Sequence, residues 1–268
     1  MRSGISTACL YPMQLETAFS TLISMGFRVF EVFVNTCSEL RDDYLKNLKR
    51  TANENGCSVK SVHPFTSGYE GFLLFSEYER RFEDGMEFYR RYFNACNQLG
   101  AAILVLHGQK RDAGGADAEE RYLERYARLF ALGRSYGVTV AQENVNRMRG
   151  NQAEFVRRMR ACCGRDCAFV LDIKQAVREG GDPLALCEAM GDRLAHVHLN
   201  DNNAESDCLL PGCGTMNYAA LLAALARCGF DGDLIIEVYR KSFGSLSELS
   251  RAKSFAERLA LRADGNIS

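Results

Sequence analysis

All four histidines of the chain end, or nearly end, short apolar runs: VKSVHP (His63), AAILVLHG (His107) and LAHVHLND (His196 and His198). Three further runs close on a carboxylate: VTVAQEN (Glu143), AFVLDIK (Asp172) and DLIIEVY (Glu237). Imidazole nitrogens and carboxylate oxygens are the donors that hold Zn²⁺, Mn²⁺ or Co²⁺. Repeated at one end of successive strands, they suggest a single ring of ligands around a cation. Three carboxylates brought together without one would repel each other, and buried carboxylates rarely go unpaired.

The elements that must position these residues are legible as an alternation. Runs with β character fall at 4–10, 29–34, 58–63, 102–107, 138–143, 168–172, 194–200 and 233–239. Each is followed by a helical pattern. The first is marked by Leu15, Phe19, Leu22 and Ile23, and later ones stop at Gly56, Gly100 and Gly137. Helices are expected near 38–54, 76–99, 117–136, 151–162, 217–228 and 246–263, with broken helical segments around Pro183. Eight such units with no linker predict an α/β fold, a (β/α)₈ TIM barrel spanning 1–268 as a single domain. Active sites of this fold form at the C-terminal ends of the strands, where His63, His107, Glu143, Asp172, His198 and Glu237 fall. Residues two apart share one face of a strand, so His196 points the same way as His198, one layer deeper.

The 268 residues carry a net charge of −1, with 47% hydrophobic and 25% charged residues. That balance is ordinary for a soluble globular protein and provides no basic field to collect nucleic acid or coat an anionic membrane. Eleven cysteines form no CxxC pair, and Cys9, Cys57 and Cys96 lie in apolar segments. This usage reads as reduced cysteine in a cytoplasmic protein. The opening stretch MRSGISTACLYPMQLE is broken by Pro12 and polar residues, so a signal peptide is not expected. No apolar run reaches the roughly 20 residues of a membrane span.

The ordered set SVHP, LVLHG, AQEN, LDIKQ, HVHLND, PGCGTMNY and FDGDLIIEVY resembles the xylose isomerase-like barrel superfamily over nearly the whole chain. That group includes sugar and sugar-phosphate isomerases and epimerases, inosose and dehydroshikimate dehydratases, and the apurinic endonuclease IV family. The resemblance implies one divalent ion (Mn, Co, Mg or Zn) held by Glu143, Asp172, His198 and Glu237. It implies an isomerase or epimerase of a small sugar or sugar phosphate, with Glu143 and Glu237 as catalytic proton carriers. A dehydratase on the same metal site is the alternative, because loss of a β-hydroxyl can follow the same α-proton abstraction. In the endonucleases, histidines matching His63 and His107 hold a further zinc. Here they are expected to contact substrate, with a second metal or a strand-capping role as alternatives.

The chain departs from the pattern at two places. Relatives often carry a histidine where this sequence has Gln175, and the loop AESDCLLPGCG offers Asp207 but no histidine. A third zinc site therefore lacks both its histidines, which argues against an endonuclease. The complete ligand set argues against a non-catalytic binding barrel. The expected partner is a small carbohydrate, with neither nucleic acid nor membrane; barrels of this type often pair, so a homodimer is a further expectation.

Remaining candidates carry two readings each. Lys174 either faces the mouth, as an acid or an anchor for an anionic substrate group, or points to solvent; Arg240 and Lys241 are weighed the same way. Glu31 either orders a neighbouring histidine or a substrate hydroxyl, or makes a rim salt bridge. The glycine-rich start Gly212-Cys213-Gly214-Thr215 either holds a phosphate or makes a plain turn. Phe65, Tyr69, Phe72 and Phe75 either form a lid or pack beneath their own loop. His196 is expected to be a hydrogen-bonded core histidine.

Overall fold

Continuous apolar runs belong in a parallel sheet covered by helices, since both faces of each strand must be buried. In the computed structural model, which describes residues 1–178 and 180–263, the runs form eight parallel strands closed in sequence order, β1 beside β8. The strands are β1 (Ser3–Ser6), β2 (Val29–Phe33), β3 (Ser58–His63), β4 (Ile103–Leu106), β5 (Thr139–Glu143), β6 (Ala168–Asp172), β7 (Leu194–Leu199) and β8 (Leu234–Ile236). The outer layer is α1 (Leu15–Ser24), α2 (Asp42–Glu54), α3 (Glu79–Leu99), α4 (Ala118–Ser135), α5 (Ala153–Cys163), α6 (Pro183–Met190), α7 (Tyr218–Arg227) and α8 (Leu246–Ala263). This is the (β/α)₈ TIM barrel that the alternation predicts. Positions 179 and 264–268 of the expected 1–268 domain lie outside the described residues. No helix among the described residues is long and apolar enough to cross a membrane.

Several boundaries differ from the sequence reading. The first run leaves the sheet after Ser6, whose hydroxyl accepts the Ala8 amide and starts a 3₁₀ turn over Thr7–Leu10. The helix expected over 38–54 is split, because Arg41 is extended (φ −76°, ψ 145°) between a 3₁₀ turn and α2. Asp42 and Asp43 then open α2, where negative charge is favoured by the helix dipole. Strands β4 and β8 stop one residue before His107 and Glu237, which therefore stand on the rim just beyond their strands.

The core between sheet and helices is aromatic. Tyr89, Tyr92, Tyr122 and Tyr126 are fully buried, and the Tyr126 hydroxyl donates to the Val140 carbonyl at 2.7 Å, tying α4 to β5. The barrel interior carries a polar layer instead. Glu31 of β2, Ser61 of β3, and His196 and His198 of β7 all point inward and meet there. Register aligns Asp172 with His198 across β6 and β7, and His198 with Ile235 across β7 and β8, so the strand ends converge at one height.

Candidate active site

Four ligand-type atoms, from Glu143, Asp172, His198 and Glu237, lie within 4.8 Å of one another at the C-terminal mouth of the barrel. His198 Nδ1 is the hub, 2.8 Å from Glu237 Oε2, 3.3 Å from Glu143 Oε1 and 3.6 Å from Asp172 Oδ2. Its other nitrogen, Nε2, is 3.1 Å from Glu31 Oε2, which fixes the ring with Nδ1 toward the carboxylates. Glu31 Oε2 also accepts the Ser61 hydroxyl (2.8 Å) and lies 3.1 Å from His196 Nε2. Glu31 and His196 are thus buried props beneath the cluster, and Glu31 makes no rim salt bridge.

A second group shares Glu143. His63 Nε2 and His107 Nε2 are 3.0 Å apart, and Glu143 Oε2 is 3.0 Å from His107 Nε2 and 3.7 Å from His63 Nε2. Glu143 Oε2 is buried, yet no group meets it in hydrogen-bonding geometry. An unsatisfied buried carboxylate oxygen costs free energy unless a cation or proton donor completes it.

Burial raises the carboxyl pKa of Glu143 and Glu237. It is outweighed by His107 at Glu143, and by His198 and Lys174 at Glu237, so both are held below the usual carboxylate range. Burial would lower His198, but Glu237 and Glu31 hold it well above an ordinary imidazole. Burial pushes Asp172 up, and Lys174 opposes this only in part. His107, penalised by burial, is raised by Glu143.

Lys174 is buried at the mouth, not pointed at solvent. Asp172 caps the short helix Ile173–Val177, its Oδ1 accepting the Gln175 amide at 3.4 Å. The turn starts at Ile173, so Lys174 curls back, and its Nζ donates to Asp172 Oδ2 and to Glu237 Oε2 (2.7 Å for the latter). Above the cluster lies a cavity of about 390 Å³ lined by His63, His107, Glu143, Lys174, Gln175 and Glu237, with Phe33, Phe65, Tyr11 and Tyr239 as its apolar walls.

Arg240 stands outside this group. It is exposed, and its guanidinium donates to the Phe243 carbonyl at 2.8 Å. Of the four loop aromatics, Phe65 lines the cavity, Phe75 is buried against Tyr122, and Tyr69 and Phe72 are 65% and 57% exposed. The glycine-rich start is closed to an outside anion. Asp201 Oδ2 accepts the Gly212 and Gly214 amides and Oδ1 accepts that of Met216, each at 3.0 Å. Asp207 pairs with Arg178.

Sequence reasoning missed several supporting groups. Asn200 donates to Asp172 Oδ1 at 3.0 Å, and Asn144 Oδ1 accepts the Asp172 amide at 2.6 Å. Alternation held a signal for Asn200, which lies two residues past His198 and shares its face. Glu70 gave no such signal. It is buried behind His107, accepts the Gly108 amide (2.5 Å) and the Tyr89 hydroxyl (2.7 Å), and burial lifts its pKa from 4.5 to about 7. A carboxyl raised in the native state contributes stability that is present below pH 4.5 and lost as pH climbs toward 7. The loss is on the order of 3 kcal/mol. Glu70→Gln is expected to remove that decline, seen as a flatter denaturant midpoint between pH 5 and 8 than the parent's; parallel curves would show that Glu70 does not titrate there.

The model of the xylose isomerase-like TIM barrel family matches residues 19–262. An uncharacterized protein of Mycobacterium leprae (strain TN) is 28% identical over 286 residues, covering 98% of this chain and 99% of that protein. The 3-dehydroshikimate dehydratase of Pseudomonas aeruginosa is 24% identical over 261 residues, 91% of this chain but 39% of that longer protein. Among solved structures, a D-tagatose 3-epimerase-like protein superposes with a TM-score of 0.81 at 18% identity, covering 100% of both chains. At that identity the last likeness speaks for the fold. Matched by the family model along most of its length and closed as the same barrel, this chain belongs to the xylose isomerase-like TIM barrel family.

Proposed function

We propose that the chain is a divalent-metal-dependent isomerase or epimerase of a small sugar, working by removal and return of a proton beside a carbonyl. One observation carries this reading: of the four clustered donors, Glu143 and Glu237 line the cavity, while Asp172 and His198 lie fully buried beneath it. The set therefore divides into two carboxylates that can reach substrate and two residues that can only hold what lies between them. Three carboxylates and one imidazole suit Mn²⁺, Co²⁺, Mg²⁺ or Zn²⁺. When bound there, such an ion supplies Lewis acidity to a substrate carbonyl.

The chain's own residues do the rest. Glu237, held ionised, takes the α-proton. His107, whose Nε2 is 3.0 Å from Glu143 Oε2, passes a proton to Glu143, which delivers it to carbon from the other side; His63, 3.0 Å from His107, restores that proton from the cavity, and Glu237 gives up the proton it took to solvent as product leaves. Return to the same carbon inverts it, and return to its neighbour moves the carbonyl. Phe33, Phe65 and Tyr239 exclude water from the reacting carbon.

Elemental analysis of untagged protein and incubation with a panel of ketoses in D₂O test this reading. One metal per chain, and exchange of an α-proton that stops on chelation and returns on reconstitution, are expected. Absence of exchange with every ketose in the metal-loaded protein overturns it. The likeness to 3-dehydroshikimate dehydratase favours a second reading, a lyase on the same donors. Loss of water from the substrate, read as a new enone absorbance, identifies that outcome.

A further inference from the structure

Lys174 is a cation already seated among the proposed metal ligands. Its Nζ donates to Asp172 Oδ2 and Glu237 Oε2. These are two of the three carboxylate oxygens that face His198 Nδ1, the third being Glu143 Oε1. An ammonium hydrogen bond and a metal bond to the same oxygen compete, and two cations in one buried cluster repel. Lys174 has somewhere to go, because it lines the cavity and its Nζ is 5.8 Å from the centre of the Tyr239 ring. Asp172 Oδ1 accepts Asn200 and the Gln175 amide, so the carboxylate need not turn when the ammonium leaves Oδ2.

We propose that Lys174 and a divalent ion occupy the Asp172–Glu237 pair in turn, so that the ammonium must swing into the cavity for the ion to bind. The inference rests on the metal reading of the site. It makes Lys174 a residue that weakens the site's grip on metal while keeping the metal-free carboxylates together. It also makes metal loading the step that delivers a positive charge into the substrate cavity. Among the described residues lining that cavity, Lys174 is the single lysine or arginine.

The test is Mn²⁺ binding to chelator-stripped protein, followed as free Mn²⁺ by electron paramagnetic resonance, for the parent, Lys174→Met and Lys174→Arg. Lys174→Met is expected to bind Mn²⁺ roughly ten- to a hundredfold more tightly, because the resident charge is gone. Lys174→Arg, which retains the charge, is expected to bind no more tightly than the parent. Thermal denaturation gives a readout independent of affinity. Without metal Lys174→Met is expected to melt below the parent, and added Mn²⁺ is expected to raise its melting temperature by more than it raises the parent's. Equal or weaker Mn²⁺ binding by Lys174→Met overturns the inference and leaves the metal reading standing. No binding by any of the three proteins overturns both.

Discussion

Glu237→Gln and Glu143→Gln are each expected to lower turnover by about 10³- to 10⁴-fold, the upper part of what a positioned acid or base contributes. Both carboxylates line the cavity, and both are held ionised against their own burial by neighbouring cations. Glutamine keeps the volume but can neither take a proton nor match a carboxylate as a ligand. The fold should persist, because each residue sits at or just past a strand end on the rim, away from the apolar packing. Circular dichroism and melting temperature check that point. Inversion and exchange of the α-proton, followed separately in D₂O, check the chemistry. A variant that still exchanges the proton but no longer inverts the carbon assigns the remaining carboxylate to the face it serves. A variant with more than a tenth of the parent's rate removes that residue from the mechanism.

Asp201→Ala is expected to cost about 3–5 kcal/mol of stability, large for a residue with no place in the chemistry. The Asp201 carboxylate is buried and accepts four backbone amides, those of Asn202 at 2.8 Å and of Gly212, Gly214 and Met216 at 3.0 Å each. It is the internal anion around which the loop after β7 is wound. A Cβ at Gly214 would come within 2.5 Å of Asp201 Oδ1 and 2.3 Å of the Asn202 carbonyl oxygen, so glycine is required where the loop closes on it. Alanine at 201 leaves those amides without an acceptor. At roughly 2–4 °C per kcal/mol for a domain of this size, the melting temperature should fall by about 10 °C. Asp201→Asn, which keeps one carbonyl oxygen, should fall by less. A melting temperature within 2 °C of the parent's, on this same scale, would show that water replaces the carboxylate at little cost.

The alternation of apolar runs with glycine-ended helical patterns was enough to specify the barrel, because hydrophobic periodicity and helix stops are local properties. The rule that barrel sites gather at strand C-termini then pointed to His63, His107, Glu143, Asp172, His198 and Glu237. The family resemblance implied Glu143, Asp172, His198 and Glu237 as one ligand set, and the structure brings those four within 4.8 Å. Their roles rest on the proposal above. Lys174 is where local reading reached its limit. Its direction depends on whether strand alternation continues past Asp172 or a helical turn begins there, and the Asp172 cap decides for the turn. Arg240, adjacent in sequence to the rim, is turned away by the Phe243 carbonyl. The glycine-rich start could be read as a phosphate site or a plain turn; its amides close on the chain's own Asp201, more than ten residues upstream of Gly212 and placed by an antiparallel bridge to Leu209. Glu70 became visible only in three dimensions, since its partners come from α3 and the loop after β4, and the choice between the two readings of Glu31 was made by its contacts with β3 and β7. The sequence by itself determined which donors exist and which end of the barrel they share, through periods of two and 3.6 residues. Tertiary structure alone decided which donors meet, which cation sits between them and which anion nest is already filled, because those depend on contacts between residues far apart in the chain.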